Sequence, residues 1–182
     1  MKIILIHSGD RCGKDTTAEL LKERIESFGK TVYVTSFAKP IKEDVSSFLG
    51  VTLEELDIMK NEKQYITIGK RTIETREFLV EYSRRVKDLT NENYYVRAAY
   101  GDILNSECDY AIISDLRFIN EYETFKQDKT RDIYFIKIDS NLEKCTEPLL
   151  KDKEFDYVFK NEEGSIDTLK FDIETFITNE II

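Results

Sequence analysis

Ile3-Ile4-Leu5-Ile6-His7-Ser8-Gly9-Asp10-Arg11-Cys12-Gly13-Lys14-Asp15-Thr16-Thr17 is an aliphatic run that gives way to a turn with two glycines and then to a lysine. Four aliphatic residues in succession read as a strand buried on both faces. Beyond the lysine, Leu21, Ile25 and Phe28 fall at i, i+4 and i+7, the single apolar stripe of an amphipathic helix. A glycine-bearing turn between a buried strand and a helix is the setting of the phosphate-binding pattern G-x-x-x-x-G-K-[ST]. Gly13-Lys14 matches it, while Ser8 stands at the first glycine and Asp15 at the hydroxyl position. The chemistry needs these residue types. Gly9 and Gly13 let the backbone turn so that successive N–H groups converge on an anion. The helix N-terminus adds partial positive charge, and Lys14 a mobile cation. Asp15, Thr16 or Thr17 can hold a divalent cation directly or through water. The plainer alternative is a tight strand–helix turn with a surface lysine.

Working outward, a strand is expected at 2–7, a helix at 14–28 stopped by Gly29, and a second strand at 31–36. Helical segments follow near 40–49 and 52–60, the latter opened by a capping box of Thr52 with Glu55. A small hairpin is expected over 65–70. Next comes a helix over 73–89 with Leu79, Tyr82, Val86 and Leu89 as its buried stripe, and another over 93–104. Three more strands are read at 110–114, 133–138 and 157–160, and a closing helix at 165–178. Strands alternating with helices imply an α/β fold, three layers around a five-stranded parallel sheet; the order 2-3-1-4-5 is the one expected where the first strand leads into a phosphate loop. The whole chain, 1–182, reads as one domain with a helical insertion at about 37–105 and a lid at about 141–155.

Ligands of such sheets sit at the carboxyl ends of the strands. There the third long strand reads Ala111-Ile112-Ile113-Ser114-Asp115-Leu116-Arg117-Phe118-Ile119-Asn120-Glu121. An apolar strand ending in Asp suits a carboxylate facing a metal ion, and a guanidinium two residues on can grip phosphate with two prongs. Alternatively, Asp115 caps the next helix and Arg117 pairs with Glu121 on its surface.

Composition narrows the rest. With 182 residues, 41% apolar and 35% charged, the chain can build a globular core. Its 27 basic against 36 acidic residues, net −9, suit a small phosphate ligand in one cleft and not a nucleic-acid backbone. No apolar run approaches a membrane span, and the first strand is too short for a signal-peptide core. Cysteines at 12, 108 and 145 show no paired or metal-like spacing. An odd count argues against a disulfide framework and for a reducing, cytoplasmic location.

Taken together, Gly13-Lys14-Asp15-Thr16, Ser36-Phe37-Ala38-Lys39-Pro40 with Lys42, Arg76-Glu77-Phe78-Leu79, Asp115 to Glu121, and Phe155 to Asn161 with Gly164 resemble the deoxynucleoside monophosphate kinases of large bacteriophages. Order and rough spacing agree along nearly the whole chain. The resemblance implies ATP held by residues 8–17, which comprise Ser8, Gly9, Asp10, Arg11, Cys12, Gly13, Lys14, Asp15, Thr16 and Thr17. It also implies Asp15, Arg76, Asp115, Arg117 and Glu121 around a nucleotide substrate. This chain has Val80 and Ser83-Arg84 where that family has Gln and Gly-Thr, and no tryptophan. Tyr94 or Tyr95 is the expected substitute as a base-stacking platform.

The remaining candidates are lesser ones. The lid carries Lys144, Lys151 and Lys153, and a solvated loop is an equal reading. His7, the only histidine, is expected to be structural. Cys12 is expected to act through its backbone N–H. Asn161, after the last strand, is placed near adenine or in a turn. The expected reaction is phosphoryl transfer from Mg·ATP to a (deoxy)nucleoside monophosphate. Lys14, Arg117, Asp15 and Asp115 are the catalytic set, with Asp15, Thr16 and Asp115 toward Mg²⁺. Expected partners are small nucleotides, with no nucleic acid or membrane, and a homodimer left open. The rivals are a kinase of another phosphorylated acceptor, such as phosphomevalonate, and an ATP-binding regulatory module without turnover.

Overall fold

Ile3 to Ile6 are all fully buried, which a strand achieves only where both faces of its sheet are covered. The computed structural model describes residues 1–9, 11–141, 150, 152–162 and 166–181. In chain order its elements are β1 (Lys2–His7), α1 (Lys14–Glu26), β2 (Val32–Thr35), α2 (Ala38–Leu49), α3 (Leu53–Asn61), β3 (Tyr65–Ile68), β4 (Arg71–Glu74), α4 (Thr75–Leu89), α5 (Tyr94–Asn105), β5 (Tyr110–Leu116), α6 (Ile119–Gln127), β6 (Ile133–Ser140), β7 (Tyr157–Asn161) and α7 (Ile166–Glu180). The chain divides into two compact units, Met1–Ser36 with Tyr100–Ile182, and Phe37–Ala99. The division falls within α5.

The first unit holds a five-stranded sheet in the order β2-β5-β1-β6-β7. Every pairing in it is parallel. With the β3–β4 hairpin set aside, this is the expected order 2-3-1-4-5. Side chains alternate across it. Ile4, Ile6, Ile112, Ile136, Ile138 and Phe159 share one buried face with Leu21 and Ile25 of α1 and Leu169, Ile173, Phe176 and Ile177 of α7. Phe135 points the other way, its ring centroid 4.6 Å from that of Tyr122 on α6. Helices therefore cover both faces. Phe176 is the aromatic hub of the first face, with ring centroids of Tyr134, Tyr157 and Phe159 at 5.4, 5.0 and 6.1 Å.

The second unit is a helical cluster with a hairpin. Phe48 of α2 meets Phe78 and Tyr82 of α4 at 6.1 and 5.9 Å between ring centroids. Asp57 of α3 receives Lys42 of α2 and Lys60 of its own helix, each at 2.8 Å. The α3 capping box is present as read from Thr52 and Glu55. The hairpin is longer than expected, pairing 65–68 with 71–74 around Gly69, whose φ is +60°. Ile73 therefore leaves the helix register and faces Ile66 across the hairpin, both side chains being buried. The neck closes where the Thr75 amide and hydroxyl both donate to the Gln64 carbonyl, at 2.9 and 2.8 Å.

Two stripe residues lie outside their cores. Leu89, the last residue of α4, is 86% exposed, and Phe28, two residues past α1, lies against the Arg24 guanidinium at the surface. Among the described residues no helix is long and apolar enough to cross a membrane.

Phe176→Ala should cost about 3–5 kcal/mol, the range for emptying a buried aromatic site. Phe171→Ala, on the exposed side of α7, should stay within about 0.5 kcal/mol. Urea denaturation of both variants measures the difference, and equal midpoint shifts would contradict the assignment of Phe176 to the core.

Candidate functional site: a phosphate loop and the strand end beside it

The loop after β1 is held in shape by its neighbours in the sheet. Arg11 and Gly13 both take left-handed backbone, at φ 62° and 89°. At Gly13 a side chain has no room, since a Cβ would stand 2.2 Å from Asn161 Nδ2. That amide, at the end of β7, donates to the Cys12 carbonyl at 2.9 Å. Asn161, read from sequence as adjacent to adenine or in a turn, thus reaches the loop and braces it. Ser8, in the place of the first glycine, is buried and donates its hydroxyl to the Gly9 carbonyl at 2.8 Å. Asp10 lies outside the described residues. Cys12 is disulfide-bonded and Cys108 is free.

Gly13 is the N-cap of α1 and supplies no side-chain cap. The first turn of the helix therefore has no N-cap side chain, in contrast to α3 with its complete box. An uncapped N-terminus behind a left-handed turn fits a bound phosphate group. Lys14 Nζ lies 3.6 Å from Asp15 Oδ2, and the Asp15 side chain is 81% exposed. A pair this long, with its carboxylate open to solvent, is worth little, so the ammonium can exchange it for a stronger anion. Thr17 is fully buried, and its hydroxyl donates back to the Gly13 carbonyl at 3.0 Å. This engages the Thr17 hydroxyl within the helix and leaves Asp15 and Thr16 as the exposed oxygen donors. Among the described residues no group of three acidic, His or Cys side chains forms a metal cluster. A Mg²⁺ held mainly by substrate phosphates and water needs only one or two protein oxygens, which Asp15, Thr16 and Asp115 can supply.

The second constellation adjoins the loop in strand register. Leu5 pairs with Ile113 but His7 with Leu116, so β5 carries one extra residue across Ser114–Asp115. A bulge of this kind re-aims the side chains it contains. Here it falls where β5 leaves the sheet beside the end of β1, bringing Asp115 and Arg117 to the same edge as Lys14. Glu121 supports the backbone at this strand end. It is buried, and its Oε2 accepts the backbone N–H groups of Arg117 and Phe118 at 2.8 and 2.9 Å. This is half of a capping box, because Phe118 at the N-cap has no side-chain acceptor to complete it. The carboxylate fixes the backbone that presents Arg117. On β2, Thr35 Oγ1 is buried without a hydrogen-bond partner among the described residues.

Within the Phe37–Ala99 unit, Arg76 is exposed in the first turn of α4. A cation there opposes the helix dipole, so its placement does not serve the helix. Tyr95 corrects an expectation. It is 2% exposed, and its hydroxyl donates to Asp44 Oδ2 at 3.0 Å. Burial first, and then that carboxylate, push its phenol pKa well up. A ring so enclosed presents no stacking face. Tyr94, edge-on to it at 5.0 Å, is 39% exposed and does. Of the lid lysines, Lys144 and Lys151 lie outside the described residues. Lys153 pairs with Glu123 of α6 at 2.5 Å.

The model of the phosphomevalonate kinase family matches residues 7–131, which take in the loop, the whole Phe37–Ala99 unit and the Asp115–Arg117 strand end. Among solved structures, a dephospho-CoA kinase from Campylobacter jejuni superposes with a TM-score of 0.48 at 16% identity, covering 98% of this chain and 97% of that one. No curated protein matches. Loop, sheet order and family match support a P-loop kinase. The narrower resemblance to phage deoxynucleoside monophosphate kinases is not what the family match gives.

Gly13→Ala should destabilise the protein by about 1–2 kcal/mol from left-handed strain alone. The added methyl also displaces the Asn161 amide from the Cys12 carbonyl. Asn161→Ala introduced into Gly13→Ala should therefore cost less than it does in the wild type, a non-additivity that a denaturation cycle reads directly. Strict additivity would show that the two residues do not meet.

Proposed function

Because the chain belongs to the phosphomevalonate kinase family, we propose that it transfers a phosphoryl group from ATP to a small acceptor already carrying a phosphate, a (deoxy)nucleoside 5′-monophosphate. One observation carries the reading: the uncapped α1 N-terminus and Lys14 stand in strand register beside a bulged strand end bearing Asp115 and Arg117. Such an edge gathers backbone N–H groups, one ammonium and one guanidinium, which is the charge complement a polyphosphate in transfer requires. The amides of residues 8–17 receive the ATP phosphates, with Lys14 following the group in transit. Arg117, its backbone fixed by Glu121, clamps the acceptor phosphate, and Arg76 is the candidate cation from the helical unit. Mg²⁺, when bound, would offset charge on the phosphates. Asp15, Thr16 and Asp115 are the residues placed to hold it. Catalysis of this kind is positioning and charge neutralisation, with little base chemistry.

Exposed flat rings in the Phe37–Ala99 unit favour an acceptor with a base. Phe48 is 57% exposed and Tyr94 39%, and aromatic faces suit a planar ring. The family match favours a second reading, in which the acceptor is phosphomevalonate, an aliphatic molecule with no ring to stack. ADP release from Mg·ATP, measured against a panel of nucleoside monophosphates and phosphomevalonate, separates the two. ADP at background with every acceptor, alongside measurable ATP binding, would favour a nucleotide-sensing module.

Lys14→Ala should lower turnover by ~10³-fold with the fold retained. Excess chelator should abolish activity. Arg117→Lys keeps the charge and loses the two-pronged geometry, so acceptor affinity or turnover should fall by ~10- to 10³-fold with the melting temperature nearly unchanged. Unaltered steady-state kinetics in that variant would return Arg117 to the surface.

A further inference from the structure

His7 is fully buried at the end of β1, between β5 and β6, where Leu116 and Lys137 are its strand partners. Its Nδ1 lies 2.9 Å from the Leu116 carbonyl, the residue between Asp115 and Arg117. A carbonyl only accepts, so Nδ1 carries the proton and Nε2 presents a lone pair. At Nε2 the ring meets the amide of Leu150, 3.4 Å away and also buried. Phe155 stacks on the ring at 5.2 Å between centroids and 14° between planes. The chain around Phe155 is pinned separately. Tyr122 donates its hydroxyl to the Glu154 carbonyl at 2.8 Å, and the Phe135 amide donates to Asp156 Oδ2 at 2.8 Å.

We propose that His7 is a positioning residue: its neutral ring ties the Asp115–Arg117 strand end, through the Leu116 carbonyl, to the chain entering β7, through the Leu150 amide. Proton uptake at Nε2 replaces the lone pair with a second N–H, which cannot accept from Leu150, and so breaks that tie. Lys137 of β6 and Arg117 beyond β5 are the charged groups bearing on the ring; Leu150 and Phe155 bring none. Desolvation chiefly, opposed by the bond to Leu116 and reinforced by those two cations, holds the pKa of His7 below 6.5. Between that lowered value and 6.5 the unfolded chain binds more protons than the folded one. The stabilisation is therefore complete above pH 6.5 and is lost as pH falls through the folded pKa.

His7 is the only histidine in the chain, so its imidazole resonances need no further assignment. Long-range ¹H–¹⁵N correlation spectra of the full chain, titrated with acid, should show the Nδ1–H tautomer with a midpoint below 6.5. The Leu150 amide should shift with the same midpoint. His7→Asn keeps a donor for Leu116, but its shorter side chain brings no acceptor to the Nε2 position facing Leu150, whose amide exchange should accelerate about tenfold, the scale of one lost hydrogen bond. An Nε2–H tautomer, or a Leu150 amide indifferent to the titration, overturns the proposal. Should His7→Asn fail to fold, the wild-type titration decides alone. The consequence for catalysis rests on the kinase reading above: the acid limb of the turnover profile should follow the same midpoint and vanish in His7→Asn. A chain without turnover would sink that reading and leave the spectroscopic result to judge the tie.

Discussion

Asn161 and Gly13 approach so closely that neither can be considered alone. The amide at the end of β7 holds the Cys12 carbonyl, and only a residue without Cβ fits beneath it. With that contact made, the chain must turn left-handed at Gly13 and enter α1 with no side chain available to cap it. Open amides at a helix start are a cost unless something anionic answers them. The same turn places Arg11 in left-handed backbone, a conformation that costs a non-glycine residue about 1–2 kcal/mol. A left-handed residue and a helix start without a side-chain cap at one spot are compatible with an anion site.

The parallel sheet makes this local arrangement a site. Parallel strands send all their carboxyl ends to one edge, so whatever follows β1, β5, β6 and β7 is gathered there irrespective of distance along the chain. Cys12 and Asn161 are 149 residues apart and share a hydrogen bond. The extra residue in β5 adds a local adjustment, turning Asp115 and Arg117 out of the flat register at the point where they adjoin the loop. Glu121 then secures the backbone of Arg117 by accepting two amides. Burial of that carboxylate is tolerable because its charge is met by N–H groups at a helix start.

The helical unit is held by a different chemistry. Its contacts are an aromatic triangle between α2 and α4, an aspartate shared by two lysines, and a tyrosine hydroxyl on Asp44. Much of its apolar surface remains open, Val80 at 63% and Phe48 at 57%. These aromatic and ionic contacts differ in kind from the backbone arrangement of the loop after β1.

The sequence by itself determined the strands of the sheet, the loop and the α3 cap, because each rests on periodicity or on a residue type in a short window; the strand order followed from the kind of fold. Ile3 to Ile6, the Gly13-Lys14 pair and Thr52 with Glu55 needed no knowledge of distant residues. The hairpin boundary was less legible, since Ile73 fits a helical stripe equally well until Ile66 is found opposite it. Tyr95 could not be told from Tyr94 by composition, and only the Asp44 carboxylate, 51 residues away, decides which ring is enclosed. Glu121 and Asn161 were visible as candidates near the site, but their partners were not. A hydrogen bond is made to an atom's position in space, and Cys12 and Asn161, or His7 and Leu150, meet only after a parallel sheet has brought their ends to one edge. Side-chain periodicity is written along the chain; the partners of a buried polar group are fixed by tertiary structure alone.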